Sequence, residues 1–505
     1  MLLGMKPQIA SAASSLLDPD IYEQARQARD PRYDGRFFVA VLTTGIYCRP
    51  VCPVRIPKQE NIRLYRSAAS AAAAGFRPCL RCRPESSPGT PAWSIGSWKV
   101  TRALEFIERG YLDDASLGEL ASQLDIGERQ LGRLFLQHLG AAPNKVAQTR
   151  RLQFAKKLID ETNLPLTEVC FAAGYGSVRR FNAALKACYG RSPREIRNRL
   201  GAGTGDGAIK LRLSYRPPFD WRALLAFLSY RSIPGVEVVS EESYARSFRI
   251  MGEAGGMTAK GHFVVRFSTD RHELDLKVWI DNTALLHRVV ERVRAIFDLR
   301  ADSTIVEKSL SADRRLAPLI KKYPGTRVPG CWSGFEVALR AILGQQVSVK
   351  AASTLVARVA AAVGERYDCD MEGIEYFFPE PEAIASADLD DLGIIQTRVS
   401  AIREVARRLE NGELEIGPHV TLDYFVQQFC EIKGIGEWTA QYVAMRALSD
   451  PDAFPHSDLI LLRAAAQPGE TLTPKMLLTR AEAWRPWRAY AVLLLWRAYA
   501  ELRQK

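Results

Sequence analysis

The spacing of apolar and polar residues changes its period along the chain. In SLGELASQLDIGERQLGRLFLQHLG, Leu117, Leu120 and Ala121 share one helical face, and Leu131, Leu134 and Phe135 resume it after a break near Asp125–Gly127. Ser116 and Glu119, three apart, form a capping box at the start of the first helix. A second copy of this helix-turn-helix pattern occupies LTEVCFAAGYGSVRRFNAALKACYGRSPREIRN, with its turn at Gly174–Gly176. From Ile209 the period becomes two. Ile209, Leu211, Leu213 and Tyr215 alternate with polar residues, as do Leu274, Leu276, Val278 and Ile280, and both runs read as strands. Beyond about Val328 the helical period returns and holds to the C-terminus, and no solenoid repeat is present.

Two small-residue stretches, PESSPGTPA at 84–92 and GAGTGDGA at 201–208, punctuate these patterns as linkers. At 505 residues, with 47% hydrophobic and 25% charged positions, the composition is that of folded protein and excludes collagen-like and disordered chains. No run approaches the roughly 18 uncharged apolar residues of a spanning helix, and the N-terminus lacks the pattern of a secretory leader. The expectation is a soluble cytoplasmic protein. Residues 1–200 hold 30 Lys and Arg against 18 Asp and Glu, whereas residues 201–505 hold 39 of each. The basic excess therefore sits in the first two-fifths of the chain, where it reads as a nucleic-acid surface. Arg179, Arg180 and Asn182 fall where a recognition helix faces a major groove; apolar spacing alone would also fit a plain helical bundle.

Of nine cysteines, Cys48, Cys52, Cys79 and Cys82 form two short-spaced pairs with 26 residues between them, the pattern of a tetrahedral Zn²⁺ site. The other five are scattered singly and read as small core residues. Four thiolates on one Zn²⁺ leave a centre of about −2, electron-rich enough for a sulfur to attack an alkyl carbon; a purely structural zinc is the plainer alternative. Arg49, Arg55, Lys58, Arg63, Arg66, Arg77, Arg81 and Arg83 surround it and would dock a phosphate near the sulfur. The segment TTGIYCRPVC together with AAGFRPCLRCRPE resembles the N-terminal domain of the bacterial Ada family. The resemblance implies that all four cysteines bind zinc and that Cys48 irreversibly takes a methyl group from a DNA methylphosphotriester. Loss of one negative charge at the centre would then tighten DNA binding.

AAGYGSVRRFNAALKACYGRSPREIR resembles the AraC-type DNA-binding domain. Farther on, Gly434 and Gly436 flank Ile435 between helical patterns, either an ordinary tight turn or a hairpin whose backbone N–H groups approach a phosphate. Asp458, twenty-two residues past Gly436, reads as a helix N-cap and, at the same time, as a carboxylate aimed into a cleft. With YRPPFDWRALLAFL, VPGCWSGFEVALRAILGQQVSV and AEAWRPWRAYAVLLLW, residues 208–505 resemble AlkA-type 3-methyladenine glycosylases of the helix-hairpin-helix superfamily. The resemblance makes Asp458 the catalytic carboxylate and Gln346 the wedge that fills the space of the flipped nucleotide. It places Phe227, Trp438, Tyr442 and Trp496 around the base. Cation–π attraction there would favour a methylated purine by about 1–2 kcal/mol per contact, while core packing is the plain reading of any one of them. Bifunctional members carry Lys where this chain has Trp438, so a monofunctional enzyme is expected. His456, near Asp458, reads as structural.

The expected architecture is multidomain α+β. It comprises a small zinc-bound α/β domain (1–91), an all-α tandem helix-turn-helix domain (92–200), and a small antiparallel sheet domain (208–300) packed on an all-α glycosylase domain (301–505). Expected partners are alkylated and promoter double-stranded DNA and RNA polymerase, with no membrane, and the chain is expected to be a monomer. Two alternatives remain at this point: a regulator that only binds damaged DNA, and a glycosylase whose zinc domain is purely structural.

Overall fold

The computed structural model describes residues 19–88, 97–197, 207–252, 256–467 and 469–503. Residues 89–92 of the first linker and 201–206 of the second lie outside the described residues. The chain forms two compact units: residues 1–216, 250–259 and 270–291 make the first, and residues 217–249, 260–269 and 292–505 the second.

In the first unit, β1 (Phe38–Val41), β2 (Ile46–Cys48), β3 (Ile62–Tyr65) and β4 (Arg77–Pro78) form a sheet in the order β3-β1-β2-β4. β1 pairs antiparallel with β2 and β3, while β4 runs parallel to β2, with Tyr47 opposite Pro78. Phe38, Ala40 and Tyr47 pack on the short helix Ala68–Ala73 as a core of its own. Helices α1 (Leu117–Ser122), α2 (Glu128–Leu139), α3 (Pro143–Glu161), α4 (Leu166–Ala172) and α5 (Val178–Tyr189) follow. Ser116 and Glu119 make the expected capping box of α1, and Leu120, Leu131 and Phe135 are fully buried. The strand alternation also holds. β5 (Ile209–Ser214) pairs antiparallel with β9 (Glu273–Ile280), setting Ile209 opposite Val278, Leu211 opposite Leu276 and Leu213 opposite Leu274. All six are buried, so the period-two pattern brings apolar side chains directly across from one another.

α3 carries charges inside. Lys156 and Lys157 are buried and pair with Asp160 and Glu161 one turn on. Glu161 also accepts from Arg83 at 2.7 Å and from the backbone N–H of Arg212 at 3.0 Å, tying the cysteine-bearing lobe, α3 and β5 together. Asp113 pairs with Arg150 and Arg151 of α3 beneath the turn of the second helix-turn-helix. Gly174 in that turn has φ +81, and a Cβ there would collide with the Asp113 carboxylate, so only glycine fits.

The second unit is mainly helical. β6 (Glu237–Val239) pairs antiparallel with β7 (Ser243–Met251) through Glu237–Arg246, Val238–Ala245 and Val239–Tyr244, and β8 (Thr258–Phe267) follows in the chain. Its helices include α6 (Trp221–Ser229), α7 (Gly334–Leu343), α8 (Leu422–Cys430), α9 (Glu437–Val443), α10 (Leu459–Ala465) and α11 (Arg488–Leu502). Phe335 to Leu343 of α7 are all buried, Glu336 and Arg340 included. Among the described residues, no helix is long and apolar enough to cross a membrane. Of the five scattered cysteines only Cys170 is fully buried; Cys188, Cys331, Cys369 and Cys430 are half-buried.

Candidate functional site

Cys48 ends β2, and Cys79 follows β4. The parallel pairing of the two strands sets these residues side by side, with Cys79 N–H donating to the Tyr47 carbonyl at 3.0 Å. Cys52 and Cys82 come from the turns that follow. All four sulfurs are buried and lie within 4.8 Å of one another. Hydrogen bonds among them push the Cys48 and Cys82 thiols up, pull Cys52 down to about 7 and draw Cys79 far below the ordinary range. Four buried sulfurs this close cannot all be thiolates unless a cation lies among them, and this donor set fits Zn²⁺. Arg49 holds the centre from outside: its N–H donates to Cys82 Sγ at 3.3 Å, and its guanidinium donates to the Cys82 carbonyl at 3.1 Å and pairs with Asp34. Arg83 pairs with Asp160 and Glu161. Arg49 and Arg83 are thus committed within the fold, whereas Arg55, Lys58, Arg63, Arg66, Arg77 and Arg81 are exposed.

Arg179, Arg180 and Asn182 are exposed on α5, with Phe181, Leu185 and Tyr189 buried on its opposite face. Ser177 caps this helix, accepting from Arg180 N–H. α2 presents a matching surface that the sequence reading passed over. Arg129, Gln130 and Arg133 are exposed while Leu131 and Phe135 are buried. The same i, i+4 analysis applied to the first copy would have found them.

In the second unit, α8, the turn with Gly434 and Gly436, and α9 form a helix-hairpin-helix. Gly434 has φ +92, which an L side chain rarely adopts, and nothing lies within 4 Å of a Cβ built at Gly436, so the hairpin face is open. Asp458 caps α10, its Oδ1 accepting from Leu461 N–H at 2.8 Å. The same carboxylate accepts the indole N–H of Trp438 on Oδ2 and that of Trp496 on Oδ1, each at 3.0 Å. Trp438 stacks on Tyr442 with ring centres 5.4 Å apart and planes 6° from parallel, and Tyr442 lies 6.4 Å from Trp496. Three of the four expected pocket aromatics are thereby assembled around Asp458. Phe227 joins them through Arg446, whose guanidinium lies 5.1 Å from the Phe227 ring and 3.3 Å from the Tyr442 hydroxyl. Arg231 lies over the Phe227 ring at 3.8 Å. Burial would push the Tyr442 phenol up, but Arg446 and then Arg231 outweigh it and bring the phenol to about 8. Neither arginine was singled out in the sequence, because an arginine amid apolar residues gives no pattern of its own.

Gln346 is exposed with φ +57, at the tip of the loop after α7. Its neighbour Gln345, also passed over, donates its amide to the Gly434 carbonyl at 2.9 Å and to Thr439 Oγ1 at 3.2 Å. The loop is thereby fixed to the hairpin. His456 lies 3.9 Å from Glu437 Oε1.

Residues 22–85 match the metal binding domain of Ada, residues 120–199 a helix-turn-helix domain, residues 210–333 the AlkA N-terminal domain and residues 339–489 the HhH-GPD superfamily of base excision DNA repair proteins. Over 478 residues, 94% of this chain and 95% of the relative, the sequence is 37% identical to the probable bifunctional transcriptional activator/DNA repair enzyme AlkA of Mycobacterium tuberculosis (strain ATCC 25618 / H37Rv). The chain belongs to this bifunctional AlkA family. It is also 34% identical to DNA-3-methyladenine glycosylase 2 of Escherichia coli (strain K12), over 287 residues covering 56% of this chain and 95% of that one. The 3-methyladenine DNA-glycosylase from Archaeoglobus fulgidus shares the fold, with a TM-score of 0.50 at 22% identity over 58% of this chain and 98% of that one. As a bifunctional AlkA protein the chain combines a zinc centre of Ada type, a DNA-binding helix-turn-helix module and a DNA glycosylase, and serves DNA repair and its regulation.

Proposed function

We propose that the chain is a monofunctional glycosylase that releases 3-methyladenine-type bases from alkylated duplex DNA, and that Cys48 takes methyl groups from DNA methylphosphotriesters. The observation that carries the glycosylase reading is the Asp458 carboxylate held by two indole N–H groups against the stacked Trp438 and Tyr442. Gly434 and Gly436 anchor the backbone, Gln346 enters the space of the flipped nucleotide, and the base lies among Phe227, Trp438, Tyr442 and Trp496. As the N-glycosidic bond breaks, its electron pair leaves with the base. Asp458 stabilises the positive charge developing on the sugar and orients the water that attacks its anomeric carbon. Trp438 offers no amine, so the product is an abasic site.

At the other end, Zn²⁺ when bound keeps the four sulfurs deprotonated at neutral pH. Cys48 Sγ then attacks the methyl carbon of the triester. The S–C bond forms, the C–O bond breaks, and the phosphodiester leaves as an anion. The centre loses one negative charge, which strengthens its hold on DNA. Arg179, Arg180 and Asn182 read promoter DNA, and the activator contacts RNA polymerase as a cytoplasmic monomer.

The test is to incubate the full chain with methylated duplex, then measure free base and map the protein by mass spectrometry. Released 3-methyladenine, together with one added methyl on the Cys48 peptide, is expected. Base release without the methyl reduces the zinc centre to a structural clamp. Binding without release leaves a regulator that only recognises damage.

A further inference from the structure

Arg231 and Arg446, which hold the Tyr442 hydroxyl and Phe227, also line a cavity of about 20 Å³ together with Arg246, Arg340, Glu237, Glu336, Tyr244 and Cys331. The side chains around it do not balance in charge. Four guanidiniums stay protonated at every physiological pH, and the lining supplies two carboxylates. Both carboxylates are committed to Arg246, Glu336 at 2.8 Å and Glu237 at 3.3 Å. Arg446 spends its donors on the carbonyls of Pro329 and Gly330 and on Tyr442, all neutral acceptors. Arg340, on α7, is 7% exposed and donates to Ser353, and its Nη2 is buried with no hydrogen-bond partner. The one thiol present, Cys331, is pushed up to about 12 by burial and stays neutral.

A buried cation without a counter-charge is costly, and a water molecule satisfies its hydrogen bonds without neutralising it. The space exceeds the roughly 10–15 Å³ that one water needs, which suits an ion of little more than a water's size. We propose that this cavity binds one small monovalent anion of the chloride class, in contact with Arg340, and that the anion supplies the counter-charge missing from the guanidinium cluster behind Tyr442. Tyr442 is the competing source of negative charge, since Arg446, Arg231 and Arg340 all stabilise its phenolate. Filling the cavity satisfies those arginines and lets the phenol keep its proton. Emptying it transfers the counter-charge to the base pocket itself. The site stands on its own geometry, and its effect on base selection rests on the glycosylase reading.

The experiment has two arms on the full chain. Crystals grown with bromide as the sole halide should show an anomalous peak within hydrogen-bonding distance of Arg340. In parallel, the ¹³Cζ-tyrosine resonance that disappears in Tyr442→Phe is titrated in chloride and in gluconate at equal ionic strength. Its midpoint should lie about one pH unit higher in chloride, the size of effect that a nearby charge produces, and the difference should vanish in Arg340→Gln. An ordered water without anomalous signal at that position, or one midpoint in both salts, overturns the proposal. Base release by the wild type is scored separately, so failure of the anion site and failure of the glycosylase reading remain distinguishable.

Discussion

The indole N–H of Trp438 and Oδ2 of Asp458 lie 3.0 Å apart, although Trp438 sits on the helix that follows the hairpin and Asp458 on the cap of α10. The residue that forms the stacking face with Tyr442 therefore also aims the carboxylate. With Trp496 on the other oxygen and Leu461 N–H capping the helix, the carboxylate has little rotational freedom. A carboxylate fixed before substrate arrives need not reorganise as charge develops, which is where electrostatic catalysis gains most.

Asp458→Asn separates the two duties of this residue. Asparagine keeps the α10 cap, but its amide N–H₂ then faces the Trp438 indole N–H that Oδ2 accepted, so a modest fall in melting temperature should accompany the loss of charge. Base release should fall by about 10³-fold or more, because the negative charge is gone. Trp438→Phe keeps a stacking face and removes the donor; its loss should be smaller and fall on the single-turnover rate rather than on binding of abasic DNA. Equal rates for wild type and Asp458→Asn would dismiss the catalytic role.

Much of this site is legible in the chain, for identifiable reasons. The cysteine pairs, the capping box at Ser116 and the hairpin glycines are short-range patterns whose chemistry requires fixed spacing. The alternation in β5 and β9 is visible because one face of each strand is buried. What was not legible depends on partners far apart in sequence. Lys156 and Lys157 look like solvent-facing residues until Glu85, Asp160 and Glu161 are placed around them. Gln345 and Arg446 likewise gain meaning only from Gly434, Tyr442 and Phe227 in the folded unit.

Burial raises the carboxyl of Asp298 from 3.8 to about 6, against the opposing pull of Arg327, the Tyr490 hydroxyl and the Val328 N–H. A raised acid favours the folded state while protonated. Its contribution is complete below about pH 4 and is lost as pH rises through 6. About 3 kcal/mol should disappear over the whole of that titration in urea unfolding of the wild type. Asp298→Asn, which cannot ionise, should show no such slope from this position.

Removing the metal should act locally. The lobe around Tyr47 has a small core of its own, so stripping Zn²⁺ with a chelator should expose amides of residues 38–82 to hydrogen exchange and free four thiols to a thiol reagent. Base release on single turnover should persist. Restored protection on adding Zn²⁺, and not Mg²⁺, would confirm a thiolate site; unchanged exchange after chelation would contradict it.

Gln345 joins the loop of Gln346 to the hairpin carbonyl of Gly434. Gln345→Leu should uncouple the two without touching Asp458. The expected signature is a loss of about tenfold or more in kcat/KM on duplex substrate, in keeping with the cost of slight misplacement, and little change on a single-stranded one that needs no wedge. Equal losses on both substrates would assign Gln345 to general stability instead.

Glu161 takes an ion pair from Arg83 of the cysteine-bearing lobe, another from Lys157 of its own helix, and the backbone N–H of Arg212 on β5. Burial opposes its charge, and Lys157 and Arg83 hold the carboxyl below its usual range all the same. Its stabilising effect is therefore present above about pH 4.5 and is lost as pH falls through the lowered value. Glu161→Gln leaves Arg83 and Lys157 facing a neutral amide. Losing one partner of a buried pair costs about 3–5 kcal/mol, so the first unit should lose that much stability near neutral pH and progressively less as pH falls below about 4.5. Hydrogen exchange resolves where the cost falls: residues 77–88 and α3 should open together, since Arg83 and Glu161 link them. An equal loss at pH 3 and pH 7 would show that shape, not charge, makes Glu161 matter.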